Sequence, residues 1–144
     1  MPKLRPPICL FYIRLFRVNF PGVKVETIRS AFRFHERHSD VVFKPLDGMG
    51  GSSIFRVREG DQNLNVILET LTNHGRETIM AQRFLPQIDA GDKRVLVVDG
   101  EVIDHCLARL PTGNEFRGNL AAGGRGVVQP LSDRDREIAA AVAP

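Results

Sequence analysis

A lysine beside a glycine-rich turn is the first arrangement in this 144-residue sequence that could do chemistry. Lys44 lies near the end of the β-branched run VVFKP, and a turn at residues 47–53 follows. Gly48, Gly50 and Gly51 lack Cβ atoms, so backbone N–H groups of the turn can converge on phosphate oxygens, to which the lysine adds a positive charge. Neither a Walker A box nor a dinucleotide fingerprint is present, and a plain hairpin turn explains the spacing equally well.

Two arginines stand at the outer ends of a predicted β-hairpin further along the chain. Its strands, at about 94–98 and 101–108, are joined by an Asp-Gly dipeptide typical of tight hairpin turns. A guanidinium can bind a carboxylate or a phosphate through two hydrogen bonds, so Arg94 and Arg109 could converge on an anion. From spacing alone, most arginines placed in this way are solvated surface residues.

A loop at residues 111–126 contains five glycines. This density favours a segment that samples many conformations and becomes ordered on a ligand. Arg117, Asn119 and Arg125 could then close over a charged substrate. A flexible connection is an equal alternative, although loops of this length in compact domains are more often functional or disordered than merely connective.

The histidines and cysteines do not indicate a metal or nucleophile site. The four histidines lack metal-ligand spacing, and the two cysteines, Cys9 and Cys106, are far apart in sequence. His105, beside Cys106, is better explained as a structural histidine than as a catalytic one.

The elements that must position these groups indicate an α+β fold. Apolar spacing predicts a helix over residues 25–38, with Ile28, Ala31, Phe32 and His35 along one side. Strands are predicted at VVFKP, at SIFRV and at residues 78–84. A second helix is predicted from an Asp61 N-cap towards a stop at Gly75, and a third from a Ser132–Asp135 capping box.

Composition places the chain among globular proteins, with 42% hydrophobic and 26% charged residues. Residues 1–38 carry a net charge of +6 and the remainder −3. The most apolar stretch, residues 8–20, is interrupted by two arginines and is shorter than the roughly 20 residues that a membrane span needs. We therefore expect a soluble protein without a membrane partner, and the few cysteines fit a cytoplasmic location.

Four stretches together resemble the bacterial glutathione synthases, which are ATP-grasp ligases. They are KPLDGMGG at 44–51, MAQRFLP at 80–86, GDKRVLVVDGE at 91–101 and RGNLAAGGRG at 117–126. Their order and approximate spacing match the family, and the likeness runs from about residue 38 to the end of the sequence. The pairing of the first and last stretches is specific to this family within the ATP-grasp ligases.

The resemblance implies ATP-dependent joining of γ-glutamylcysteine and glycine through an acyl phosphate, with Mg²⁺ assisting. It assigns nucleotide contacts to Lys44, Asp47, Gly48, Gly50, Gly51, Ser52, Ser53, Gln82, Arg83, Phe84, Leu85 and Asp92. It assigns catalytic and substrate contacts to Arg94 and Arg109, and further substrate contacts to Arg117 and Asn119 on a closing lid. The family is typically a homotetramer.

The resemblance also implies a division of the chain. Residues 1–38 form a basic segment that matches the family poorly, and residues 39–144 form a partial ATP-grasp domain. The magnesium ligands of the family lie beyond this segment, so no metal ligand is assigned here. We expect a fragment with little ligase activity on its own.

Three other hypotheses remain open. The chain could be part of another ATP-grasp carboxylate–amine ligase, although RGNLAAGGRG disfavours this. It could be a non-catalytic nucleotide-binding remnant. The basic N-terminus, with Phe11, Tyr12 and Phe16, could instead bind nucleic acid, but no recognised nucleic-acid motif accompanies it, and we expect no nucleic-acid partner.

Overall fold

The computed structural model describes residues 22–142 of the chain, except for the Val142 side chain. Residues 1–21, which belong to the predicted basic segment at 1–38, lie outside the described residues. Within them, the elements in chain order are β1 (Gly22–Val25), α1 (Ile28–His38), β2 (Asp40–Pro45), β3 (Phe55–Arg58), α2 (Leu64–Leu71), β4 (Ile79–Arg83), β5 (Asp92–Val98), β6 (Glu101–Leu110), β7 (Arg125–Pro130) and α3 (Asp133–Val142). Short 3₁₀ turns lie at Pro86–Ala90 and Leu120–Ala122.

The first sheet is antiparallel, with four strands in the order β1-β4-β2-β3. Because side chains alternate between the two faces of a strand, one face carries the core. Its fully buried members include Val41, Phe43, Val57, Ile79 and Ala81, and they pack with α1 and α2. This core holds the sheet against α1 and α2. The opposite face of the sheet carries the side chains that lie outside the core.

The second sheet, also antiparallel, has the order β5-β6-β7. Its β5–β6 turn has Asp99 at φ +50° and Gly100 at φ +84°, the left-handed pair that a tight hairpin needs. The predicted hairpin is therefore confirmed. Helix α3 packs on β5 and β6, and antiparallel sheets with flanking helices confirm the predicted α+β class.

Two predicted helix starts were wrong. Helix α1 begins at Ile28 rather than at residue 25, because Val25 pairs with Ile79 in the sheet. Thr27 has extended backbone and caps the helix by accepting the Ser30 N–H at 3.1 Å. The predicted apolar side of this helix is confirmed, since Ala31 is buried in the core.

Helix α2 is shorter than predicted at both ends. It begins at Leu64, and the Asp61 carboxylate instead accepts the Asn63 N–H at 2.9 Å in the preceding turn. It ends at Leu71 rather than at Gly75. The Thr72 hydroxyl donates to the Leu68 carbonyl at 2.6 Å, which closes the last turn.

The start of α3 gives a testable stability prediction. The Asp135 carboxylate accepts from the Ser132 N–H at 3.0 Å and from Lys93 Nζ at 2.6 Å, and these contacts lower its pKa to about 2, the Lys93 hydrogen bond contributing most. The Asp135→Ala substitution should cost about 1 kcal/mol of unfolding free energy at pH 7. Because the folded pKa is depressed, this difference should shrink as pH falls from about 4 to about 2.

Urea denaturation of both proteins across that pH range measures the effect. Asp133→Ala is the matched control, since it removes the same charge from the same helical turn. Equal destabilisation by both substitutions would contradict the assigned role of Asp135.

Candidate functional site

Lys44 lies on the face of the first sheet that points away from the helices. Its neighbours in β2 alternate, with Val41 and Phe43 in the core. The same alternation places Lys44 with Val42 on the opposite face, and Lys44 pairs there with Met80 of β4. Burial lowers the pKa of the Lys44 ammonium below its usual value. The lysine is therefore a partly buried cation near the end of a strand, just before the predicted glycine-rich turn.

The predicted turn at residues 47–53, which we call the glycine turn, connects β2 to β3. Gly50 and Gly51 have φ of +67° and +87°, and Ser53 also has a positive φ of 55°. The Ser52 N–H donates to the Met49 carbonyl at 3.3 Å. Asp47 and Gly48 are exposed at its start. The left-handed glycines turn the backbone sharply within a few residues of Lys44, which favours convergence of N–H groups.

The second glycine-rich segment packs directly on the glycine turn. We call residues 111–124 the lid segment. Arg117 Nη1 donates to the Gly51 carbonyl at 2.6 Å. A methyl group at Gly51 would lie 2.9 Å from the Asn119 side chain, and one at Gly50 would lie 3.6 Å from Ala121. The predicted meeting of these two glycine-rich stretches is thus present in the fold.

Internal hydrogen bonds shape the lid segment. Thr112 Oγ1 donates to the Gly123 carbonyl at 2.7 Å, and the Gly124 N–H donates to the Asn119 carbonyl at 3.0 Å. A Cβ at Gly124 would lie 2.5 Å from the Gly118 carbonyl oxygen, so glycine is needed there. The prediction of one continuous loop to residue 126 was wrong, because Arg125 begins β7, which pairs with β6.

The Glu115 carboxylate holds Arg117 in position within the lid segment. The Arg117 guanidinium forms an ion pair with Glu115, which lies two residues before it. Hydrogen bonding from Arg117 is the main cause that lowers the Glu115 pKa to about 2. Glu115 therefore stays ionised at neutral pH and orients the guanidinium that reaches Gly51.

A cleft of about 190 Å³ opens between the second sheet and the lid segment. Its lining includes Arg94, Arg109, Gly50 and Asn119. Arg94 pairs with Leu107 on β6, two residues before Arg109, so both arginines lie on the same face of the sheet. The predicted convergence of the two arginines on one cavity is present, although both lie within their strands and not beyond them.

Arg109 is buried, with 9% of its surface exposed, and is held by Asp92. These residues are cross-strand partners, and Arg109 Nε donates to Asp92 Oδ1 at 3.1 Å. Gly118 of the lid segment packs closely here, since a Cβ on it would lie 2.8 Å from the Arg109 carbonyl oxygen. Asp92, predicted as a nucleotide contact, therefore orients this arginine in the structure.

The predicted adenine segment, residues 82–85, begins in β4 on the same face as Lys44. Gln82 is buried, and its Nε2 atom has no hydrogen-bond partner among residues 22–142. The Phe84 N–H donates to the Asp40 carbonyl at 2.9 Å, and the Leu85 carbonyl accepts from Ile88. Arg83 is exposed. These contacts fix the backbone at the strand end while leaving an unsatisfied buried amide beside it.

The sequence interpretation missed Arg56 and Phe116. Arg56 pairs with Val42 in β2, so it lies on the same face as Lys44, and its guanidinium lies over the Phe84 ring. Phe116 contacts Phe84 from the lid segment. Alternation in the FRVR strand could have placed Arg56, but nothing local could have indicated the partner of Phe116.

Among residues 22–142, no group of three or more His, Cys, Asp or Glu side chains could hold a metal ion. Two of the described carboxylates, Asp92 and Glu115, are engaged with arginines. We therefore assign no magnesium ligand among the described residues. No helix in this part is long and apolar enough to cross a membrane.

Comparison with known proteins identifies the family. The model of the prokaryotic glutathione synthetase, ATP-grasp domain, matches residues 12–144. The chain is 68% identical over 111 residues to the glutathione synthetase of Pseudomonas aeruginosa, covering 77% of this chain and 35% of that protein. It is 64% identical over 139 residues to that of Vibrio cholerae, covering 91% of this chain and 43% of that protein. The chain thus spans 35–43% of the length of these curated relatives.

Solved structures agree on the fold. D-cycloserine synthetase DcsG matches with a TM-score of 0.60 at 15% identity, covering 92% of this chain and 48% of that chain. The ATP-grasp ligase PsnB, complexed with its minimal precursor, Mg and ADP, matches with a TM-score of 0.57 at 21% identity, covering 92% and 39%. The predicted ATP-grasp fold is confirmed, and the chain belongs to the prokaryotic glutathione synthetase ATP-grasp domain family.

Proposed function

We propose that this chain forms the ATP-binding part of a glutathione synthetase, an ATP-dependent carboxylate–amine ligase. The observation that carries the proposal is the contact between the glycine turn and the lid segment, beside Lys44 and the two-arginine cleft. Arg117 bridges to the Gly51 carbonyl at 2.6 Å, and Gly50 lines the same cleft as Arg94 and Arg109. This arrangement supports a phosphate cradle at the glycine turn, a cover formed by the lid segment and an anion-binding wall formed by the two arginines.

The proposed ATP site fits the groups that the chain supplies. Lys44 would neutralise phosphate charge, and backbone N–H groups of residues 48–53 would donate to phosphate oxygens, as in other glycine-rich phosphate cradles. The adenine ring would lie against residues 82–85, at the end of β4.

The proposed reaction is the joining of γ-glutamylcysteine to glycine. The carboxylate of γ-glutamylcysteine attacks the γ-phosphate of ATP, giving an acyl phosphate and ADP. The glycine amine then attacks the acyl carbon, phosphate leaves, and glutathione remains. Arg94 and Arg109 would hold the reacting carboxylate and stabilise the negative charge that develops.

The lid segment would complete the site by excluding water. Arg117 and Asn119 already lie at the glycine turn, so small movements would bring them to bound substrate. When bound, magnesium neutralises phosphate charge in such reactions. No group of three or more potential ligands occurs among residues 22–142, and we assign no step to magnesium here.

Equilibrium binding of ATP to the full 144-residue chain tests the proposal. We expect saturable binding of ATP and ADP, with AMP markedly weaker because Lys44 and the glycine turn would contact the outer phosphates. The measurement is isothermal titration calorimetry, with GTP as a base-specificity control. Absence of ATP binding, or equal affinity for AMP, would contradict the proposed cradle.

A second candidate is nucleotide binding without catalysis. The chain spans less than half the length of its curated relatives, so this candidate is tested beside the first. A coupled ADP-release assay with γ-glutamylcysteine and glycine separates the two candidates, and we expect little turnover. Ordinary turnover would support the full ligase. Other amino-acid pairs in the same assay test the alternative of a different ATP-grasp ligase. A cytoplasmic location and a homotetramer remain proposals that follow from the family.

A further inference from the structure

A chain of four side chains links the lid segment to the first sheet. The rings of Phe116 and Phe84 have centroids 6.2 Å apart and an interplanar angle of 78°, which is an edge-to-face contact. The Arg56 guanidinium carbon lies 3.3 Å from the Phe84 ring centroid. Arg56 in turn donates to both Asp40 carboxylate oxygens, at 2.9 and 2.6 Å. We call these four residues the aromatic clamp.

The sheet side of the clamp is held by contacts within the first sheet itself. The Phe84 N–H donates to the Asp40 carbonyl at 2.9 Å, so the same residue of β2 holds both the backbone of Phe84 and its stacking arginine. Phe84 is only 8% exposed. Hydrogen bonding from Arg56 lowers the Asp40 pKa, which keeps this carboxylate ionised at neutral pH. Phe116 therefore packs on a ring that other contacts of the first sheet hold in place.

The lid segment has a second anchor next to Phe116. Arg117 donates to the Gly51 carbonyl in the glycine turn. One anchor thus lies at Phe84, at the end of β4, and the other at the glycine turn beyond β2. Two separated attachment points define the position of a segment more closely than either does alone, because a single contact leaves rotation about it free.

We propose that Phe116 is a positioning residue. It holds the lid segment across the nucleotide site by packing on the Phe84 ring within the aromatic clamp. The inference rests on the proposed function for the identity of the ligand, since the two anchors bracket the groups assigned to adenine and phosphate. Phe116 needs no contact with ATP. It acts by placing Arg117 and Asn119 over the glycine turn.

Hydrogen–deuterium exchange of the full chain without nucleotide tests the docking itself. An aromatic pair of this geometry should alter the opening equilibrium by about two- to tenfold. Phe116→Ala should therefore raise exchange in residues 111–124 by that factor, and Phe116→Tyr should restore the wild-type rate. Phe55→Ala is the matched control, because Phe55 lies on the core face of β3, opposite to Arg56, and is 37% exposed. Unchanged exchange in Phe116→Ala would overturn the proposal.

A double-mutant cycle with Phe84→Leu identifies the partner. The effect of Phe116→Ala should largely disappear in the Phe84→Leu background, because the docking surface is already lost. If Phe84→Leu does not fold, Arg56→Met replaces it, since Arg56 is partly exposed and supports the same ring. If the effects of the two substitutions on exchange are fully additive in the cycle that is measured, Phe116 acts elsewhere and the clamp is contradicted.

ATP titration of the same variants separates this inference from the proposed function. Phe116→Ala should weaken ATP binding by about two- to tenfold and Phe116→Tyr should recover it. Wild-type ATP affinity in Phe116→Ala with raised lid exchange would refute the positioning role. Absence of ATP binding by the wild-type chain would instead reject the proposed function, and the exchange data would still decide whether the clamp exists.

Discussion

Gly51→Ala should weaken ATP binding by about tenfold or more while the chain remains folded. Gly51 has φ +87°, and an added methyl group would lie 2.9 Å from Asn119 Cγ and Oδ1. The left-handed backbone alone costs an alanine about 1–2 kcal/mol. The clash adds a second effect, because either Asn119 or the glycine turn must move, and both belong to the proposed nucleotide site. Calorimetric titration with ATP measures the loss.

The chain offers a matched control for this substitution. Gly60 has φ +77°, but no atom of residues 22–142 lies within 4 Å of a methyl group placed on it. Gly60→Ala should therefore lower thermal stability through the same backbone strain without the added clash, and leave ATP affinity within about twofold of wild type. Gly50→Ala should fall between them, since its methyl group would make only an ordinary contact, 3.6 Å from Ala121. Equal ATP affinities for the Gly51 and Gly60 variants would contradict the assigned contact.

Lys44→Met should have the larger effect on ATP binding, a loss of about 100-fold. A hydrogen bond to a charged group contributes about 1.5–3 kcal/mol, and the partly buried position of Lys44 places its charge near the upper end of that range. Methionine retains the length and much of the apolar stem of lysine, so the fold should persist. Lys44→Arg should recover part of the affinity, because the charge remains while the point contact changes.

The pH dependence provides a further check on the same lysine. Burial lowers the Lys44 pKa, and ATP favours the protonated form. Wild-type affinity should therefore weaken as pH rises towards that lowered pKa, earlier than an exposed lysine would allow. Lys24→Met is the charge control. Lys24 is exposed on β1 and pairs with Met80 of β4, and Lys44 of β2 pairs with the same Met80 from the other side. If Lys24→Met lowers ATP affinity as much as Lys44→Met does, the effect is a general attraction by positive charge and not a contact between Lys44 and phosphate.

Local signals in the sequence were enough to predict the elements around the site. The β-branched run before the glycine turn, the strand after it and the Asp-Gly hairpin each depend on residues within a few positions of one another. The capping box of Ser132 and Asp135 is similarly local, and both of its hydrogen bonds are present. Such features are predictable because the deciding contacts are made inside the segment itself.

The missed elements depend on distant partners. Strand β1 is only four residues long and exists through its pairing with β4, more than fifty positions later in the chain. Strand β7 contains Gly126 and ends at Pro130, so its composition indicates a loop, and its pairing with β6 decides otherwise. Helix α1 begins later than predicted for the same reason, because Val25 belongs to strand β1 and pairs with β4.

The site was predicted in part by local chemistry and in part by family resemblance. Spacing placed Lys44 beside the glycine turn, but only the resemblance paired that turn with residues 117–126. The structure brings them together through Arg117 and Gly51. Neither approach indicated that Asp92 holds Arg109 or that Phe116 docks on Phe84, because these contacts arise from side-chain directions that only the folded chain defines. The assigned roles of the individual site residues remain predictions.

Hydrogen–deuterium exchange of the full chain with and without ATP tests whether the lid segment covers a phosphate cradle at the glycine turn. We predict that saturating ATP protects residues 47–53 and residues 111–124 together, and that Lys44→Met abolishes both protections at the same ATP concentration. Protection of only one of these segments, or saturable ATP binding that protects neither, would contradict a phosphate cradle covered by the lid segment.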